Sequence, residues 1–142
     1  ETQPPVLVAP VVAQKDRRLV VVRYRQIDIA GRTAEANPHQ LVQLLYEELD
    51  RALRALAWAT DHHNYAMRSE KATRAIAVLF ALESGLDYER GGDVAKTLGR
   101  LYLGARRQIV DASLGQDSNP FLDVANSMTE IADAWRSVAG RA

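Results

Sequence analysis

Three clusters in this chain hold residue types that do chemistry: His62-His63 between Asp61 and Asn64, the pair Glu47-Glu48, and Gly91-Gly92 behind Asp87 and Glu89. Two imidazoles beside a carboxylate are the donors of a metal site. Paired carboxylates can share general acid–base work, and a glycine pair opening a helix can cradle a phosphate. The spacing argues against each. Adjacent histidines on a helix diverge by about 100°, so His62-His63 reads better as a polar turn between helices. A di-metal bundle needs Glu-x-x-His on two helices, and that spacing does not occur. Glu47 and Glu48 sit side by side on a charged face and read as solvated. Gly91-Gly92 has no Lys-Ser/Thr directly after it and no strand before it, so it is not a phosphate loop. With no cysteine, disulfides and thiolate ligands are excluded. No Ser-His-Asp or Cys-His arrangement suggests itself. The expectation is a protein that is not an enzyme, with no metal and no cofactor.

The elements that position these residues are helical. Asn37 suits a cap, Pro38 a first helical position, and Gln40 the place from which a side chain reaches back to the cap. Apolar residues then recur at Leu41, Leu45, Leu49, Ala52, Leu53, Leu56 and Ala59, the spacing of one helix face. The first helix is expected over 38–61, with Glu47–Arg51 and Asp50–Arg54 as i,i+4 pairs on its wet side. A second is expected over 65–84, with Ala72, Ile76, Leu79 and Phe80 inward and Gly85 at its end. The third, over 92–114, carries Val94, Leu98, Leu101, Tyr102, Ala105, Ile109 and Ala112 in one stripe, and Gly115 stops it. Asn119-Pro120 repeats the cap-then-proline signal for a fourth, over 120–138, with Phe121, Val124, Ala125, Met128, Ile131, Ala132 and Trp135 inward. Short links between such helices predict an all-α fold, an antiparallel four-helix bundle.

In front of the bundle domain, 37–142, stands an arm of residues 1–36. Its valine-rich runs over 6–13 and 19–24, split by Gln14-Lys15-Asp16-Arg17, read either as a strand pair or as an extended, partly disordered segment that covers a groove. The arm carries six cations and four anions and the rest twelve and fourteen, so no surface tracks phosphate and nucleic acid is a poor partner. The apolar run at 6–13 holds Pro10 and lacks a basic flank, so a signal peptide is not expected, and no run is long enough to span a membrane. A cytoplasmic location is expected.

In order along the chain stand Tyr24, then Pro38 within Asn-Pro-His-Gln-Leu-Val-Gln-Leu-Leu-Tyr ending at Tyr46, then Lys71-Ala72 and Ala75-Ile76. Gly85-Leu86-Asp87-Tyr88-Glu89-Arg90-Gly91-Gly92 follows, then Leu98-x-x-Leu101-Tyr102, Arg107, and Ile131-Ala132-Asp133-Ala134-Trp135. Over residues 21–138 this series resembles the flagellar secretion chaperones for flagellin, the FliS family. The opening is similar to the family's Ser-Pro-x-x-Leu-x-x-x-Leu-Tyr, and the glycine link to its Leu-Asp-x-x-x-Gly-Gly. The chain departs from the family at Glu48 and Leu49, where small residues are usual, at Gly104, where a second tyrosine is common, and at Ser113, where asparagine is.

The resemblance implies a non-catalytic chaperone in the bacterial cytosol. It would bind the disordered C-terminal segment of flagellin, prevent premature polymerisation and assist delivery to the flagellar type III secretion apparatus. It also implies contacts with the export gate and a regulatory antagonist protein, and leaves a weak homodimer open. The implied flagellin groove takes in Val21, Tyr24, Val42, Leu44, Leu45, Tyr46, Leu98, Leu101, Tyr102 and Ile109. From the residues alone, Val42, Leu44, Leu103 and Val110 lie off the main stripes and are expected at a surface that accepts amphipathic helices. The competing reading is a non-catalytic helical assembly protein that oligomerises by exchanging its N-terminal arm.

Overall fold

A computed structural model of the chain describes residues 38–139. The N-terminal arm, with the two readings given for it, and Asn37 lie outside the described residues. Four helices follow in order: α1 (Pro38–Asp61), α2 (Tyr65–Ser84), α3 (Tyr88–Ala112) and α4 (Asn119–Ala139). α1 packs on α2 and α4, and α3 closes the ring by packing on the same two helices. The expected four-helix bundle is what forms.

Local chemistry sets the helix ends. Pro38 stands at the first position of α1, where its missing N–H costs no hydrogen bond. His63 turns the chain at φ 54°, and the Asn64 side chain accepts the Met67 N–H at 3.1 Å to cap α2. The Asp87 side chain caps α3 by accepting the Arg90 N–H at 3.1 Å. α3 is broken at Gly92 (φ 52°, ψ −127°), so its first turn is set off from the regular helix beyond, which is where the sequence placed the start. α4 opens at Asn119 itself, and the Ser118 carbonyl accepts from Phe121 and Leu122, so Ser118 takes the capping place expected of Asn119.

Leu41, Leu45, Leu49, Leu53 and Leu56 of α1 meet Leu79 and Leu82 of α2, Leu98 and Ile109 of α3, and Phe121 and Trp135 of α4 in one core. Three inward expectations are corrected. Phe80 is 45% exposed, Val94 37% and Leu101 45%, because Leu79 and Leu82, and Leu98, Tyr102 and Ile109, already fill the space that α2 and α3 enclose. Glu48 departs from expectation the other way. It is buried, and pairs with Arg51 at 3.0 Å and with Arg74 across on α2. Arg51 thus pairs with Glu48 rather than Glu47, while Arg54 bonds Asp50 as expected, at 3.1 Å. The Arg68 guanidinium, also buried, donates to the carbonyls of Ala112, Ser113 and Gly115 and ties α2 to the end of α3.

Candidate binding surface

The residues named from the sequence for a groove do not all reach a surface. Val21 and Tyr24 lie outside the described residues. Val42, Leu45, Tyr102 and Ile109 are fully buried, and Leu44 and Leu98 are 5% exposed. Val42 and Leu44 were expected at the surface. They are covered because α1 lies between two helices, and so is buried over an arc wider than a single stripe. Leu44 stands one turn before Glu48 on the flank held by Arg74 of α2. One named residue is open to solvent, Leu101; Tyr46 is buried but forms part of the wall of a cavity of about 240 Å³ between α1 and α4.

Met128, Ala132 and Trp135 of α4 also line that cavity, with Gln43, Glu47, Asp50, Thr129 and Arg136 around it. Behind it the Tyr46 and Tyr102 hydroxyls meet at 2.5 Å, joining α1 to α3. Burial pushes the Tyr46 phenol up to about 12, and the bond from Tyr102 offsets only part of that. Towards the start of α1 the His39 ring stacks on Trp135, with centroids 4.4 Å apart, and the indole N–H donates to the His39 carbonyl at 3.4 Å. Among the described residues neither His39 ring nitrogen has a hydrogen-bond partner, and desolvation lowers its pKa from the usual 6.5. The polar wall is held by Asp50, which accepts from Arg54 at 3.1 Å and from the Thr129 hydroxyl at 3.4 Å.

Leu101 stands on the other side of α4. It shares a face of α3 with Val94, at i−7, and Gln108, at i+7, and Gln108 donates to the Pro120 carbonyl of α4 at 3.3 Å. The opposite flank of α3 meets α2 and encloses a second cavity of about 300 Å³, lined by Ile76, Leu103, Arg106, Arg107, Val110 and Asp111. Leu103 and Val110 were expected at a surface and are there, half-buried and 51% exposed. Trp58 and His62, stacked at 4.0 Å, mark the end of the bundle where α1 turns into α2. Among the described residues no three His, Cys, Asp or Glu side chains gather as a metal site would require. No described helix is long and apolar enough to cross a membrane.

Among the described residues the arrangement offers apolar troughs with polar rims, a form that accepts helices or extended segments. Comparison with known proteins bears on what it serves. The family model described as flagellar protein FliS matches residues 21–142. The chain belongs to the FliS family. It is 28% identical to the flagellar secretion chaperone FliS of Salmonella typhimurium (strain LT2), over 84% of this chain and 89% of that protein. To the flagellar secretion chaperone FliSB of Pseudomonas aeruginosa it is 28% identical, over 82% of this chain and 93% of that protein. To FliS of Vibrio cholerae serotype O1 it is 30% identical, over 81% and 85%. The FliS match takes in all four helices, and also Val21 and Tyr24 ahead of them.

Proposed function

We propose that this protein, a chaperone of flagellar export by its family, binds the C-terminal segment of flagellin in the cytoplasm and keeps it from polymerising before export. The role is non-catalytic. The client folds onto the bundle as amphipathic helices lying along the two sides of α4. One observation carries this placement. Of the residues named from the sequence, Leu101 is exposed, on the α3 face that carries Gln108 and its bond to Pro120 of α4, and Tyr46, itself buried, forms a wall of the α1/α4 cavity. Leu44, Leu45, Leu98, Tyr102 and Ile109 then act from beneath, as the packed wall that holds the trough in shape. Val21 and Tyr24 belong to an arm that covers the trough until flagellin displaces it. Delivery to the export gate, a regulatory antagonist as a further partner, and a weak homodimer complete the reading.

The test uses a flagellin C-terminal peptide. It should gain helicity on mixing, bury well over roughly 1,000 Å² and show a negative heat-capacity change as apolar surface leaves water. Because Leu44 and Tyr102 are core, alanine there would report on folding, and the surface substitutions Leu101→Glu and Thr129→Trp are the useful ones. Each should weaken the peptide at least tenfold with the helical signal of the bundle intact. Unchanged affinity in both variants would remove flagellin from this face.

A further inference from the structure

The flank of α3 that meets α2 carries a second pattern, which the flagellin-binding reading does not use. Leu103, Arg107, Val110 and Leu114 recur at helical spacing along it, and Lys96 and Arg100 continue the row towards the start of the helix. Val110 is 51% and Leu114 87% exposed. Across the groove stands Phe80 of α2; Thr73, Ala77 and Ser84 on its face are uncharged, while Glu83, at i+3, carries a carboxylate. Arg106 lies over the Phe80 ring, 5.6 Å from its centroid, and its charge is taken by Glu83 at 2.6 Å. Lys96, Arg100 and Arg107 are exposed, and among the described residues none of them is in a salt bridge. Among the described residues, Asp111 is the acidic group lining the cavity, and Asp93 stands one turn before Lys96 on the α3 row. The result is an apolar trough whose α2 rim is neutralised by the Glu83–Arg106 pair and whose α3 rim carries the cations Lys96, Arg100 and Arg107.

We propose that this groove docks an acidic amphipathic helix of a partner protein. Its apolar stripe would lie on Phe80, Leu103 and Val110, and its carboxylates along Lys96, Arg100 and Arg107. The row from Lys96 to Leu114 is about 27 Å long, which matches a helix of about 18 residues. Charge argues against the other occupants. A second copy would bring the same basic row against this one, and like charges across an interface are repulsive. The chain's own arm carries six cations against four anions, so it is no better matched. A trough between two helices also fits a helix more closely than it fits a flat lipid surface.

The experiment uses the full chain and two synthetic 18-residue peptides with the same leucine stripe, one flanked by glutamates and one by lysines. The glutamate peptide should bind at least tenfold tighter than the lysine peptide at low salt, and lose affinity as salt screens the rim. Arg100→Glu with Arg107→Glu should reverse that preference while leaving flagellin-peptide affinity unchanged. These side chains are exposed, and circular dichroism checks that the fold is kept. Equal binding of the two peptides, or indifference to the charge reversal, overturns the proposal. So does displacement of the glutamate peptide by the flagellin peptide, which would make this groove part of the client site. Charge-dependent binding to phosphatidylserine vesicles with no preference between the peptides would assign the row to membranes instead. A failure of the flagellin reading in the Leu101→Glu and Thr129→Trp tests leaves this peptide preference standing, so the two proposals fall separately.

Discussion

The hydroxyls of Tyr46 and Tyr102 lie 2.5 Å apart across the bundle interior, joining α1 to α3 through residues 56 positions apart in the chain. Such a bond contributes little net energy while it is made, but a buried hydroxyl left without its partner costs its desolvation, about 1–3 kcal/mol. Tyr102→Phe should therefore destabilise the bundle by about that amount in urea unfolding. Tyr46→Phe made in that background should cost clearly less than it does alone, since the hydroxyl it removes has already lost its partner. Additive costs would mean the two hydroxyls act independently.

The same burial predicts a base-side limit to stability. With the Tyr46 pKa raised from 10.0 to about 12, the unfolded chain releases this proton first as pH rises. Stability from this group is intact below pH 10 and declines between about pH 10 and pH 12. Tyr46→Phe should flatten that part of the stability profile measured by denaturant titration. An unchanged slope would assign it to other groups.

On the acid side the group to watch is His39. Its pKa is lowered from 6.5 by desolvation, so between 6.5 and that lowered value the unfolded chain binds a proton that the folded one does not. Stability is held above pH 6.5 and falls as pH drops through that window. The ring stacks on Trp135, so His39→Phe keeps the stacked contact while removing the titrating group. The variant should hold its unfolding midpoint from pH 7 to pH 5 better than the parent, and equal losses in both would exclude His39 as the cause.

Gly92, at φ 52° and ψ −127°, occupies backbone space that side-chain-bearing residues rarely enter. A Cβ there would meet nothing within 4 Å, so the cost of Gly92→Ala is backbone strain alone, about 1–3 kcal/mol. Hydrogen exchange should quicken in the first turn of α3 before it does elsewhere.

These residues also mark what was legible in the sequence. The limits of α1 and α2 match the expected 38–61 and 65–84, because proline, asparagine and the polar turn at 61–64 act locally. The break at Gly92 was legible as a helix start but not as a first turn standing before it. Glu48 read as solvated because its partner Arg74 lies 26 positions away, beyond any local pattern. Leu101 read as inward because periodicity marks a face but not how much of it the neighbouring helices cover. Val42 and Leu44 failed for the converse reason, since α1 is covered from two sides. Leu103 and Val110 were legible as surface residues because they lie off the main stripe of α3, whereas the cavity beside Tyr46 depends on how far α1 and α4 stand apart, and no spacing rule carries that.

The arm supplies the last prediction. The run Leu19-Val20-Val21-Val22-Arg23-Tyr24 is too apolar to stay in water at no cost and too short to build a core alone. Burying one such side chain contributes roughly 1.5–3 kcal/mol, so several together can offset the ordering of six residues. The chain enters the described bundle at Pro38, less than two turns of α1 from Gln43 at the rim of the α1/α4 cavity, so this trough is within reach of the arm. If the arm leaves the trough open about a tenth of the time, apparent affinity for flagellin falls about tenfold, near 1.4 kcal/mol. Deleting residues 1–23 should then tighten flagellin-peptide binding by about that factor. It should also bare apolar surface, so that the truncated protein self-associates in sedimentation at concentrations where the full chain does not. Weaker binding after the deletion would place Val21 and its neighbours within the client site and end the idea of an arm that must be displaced.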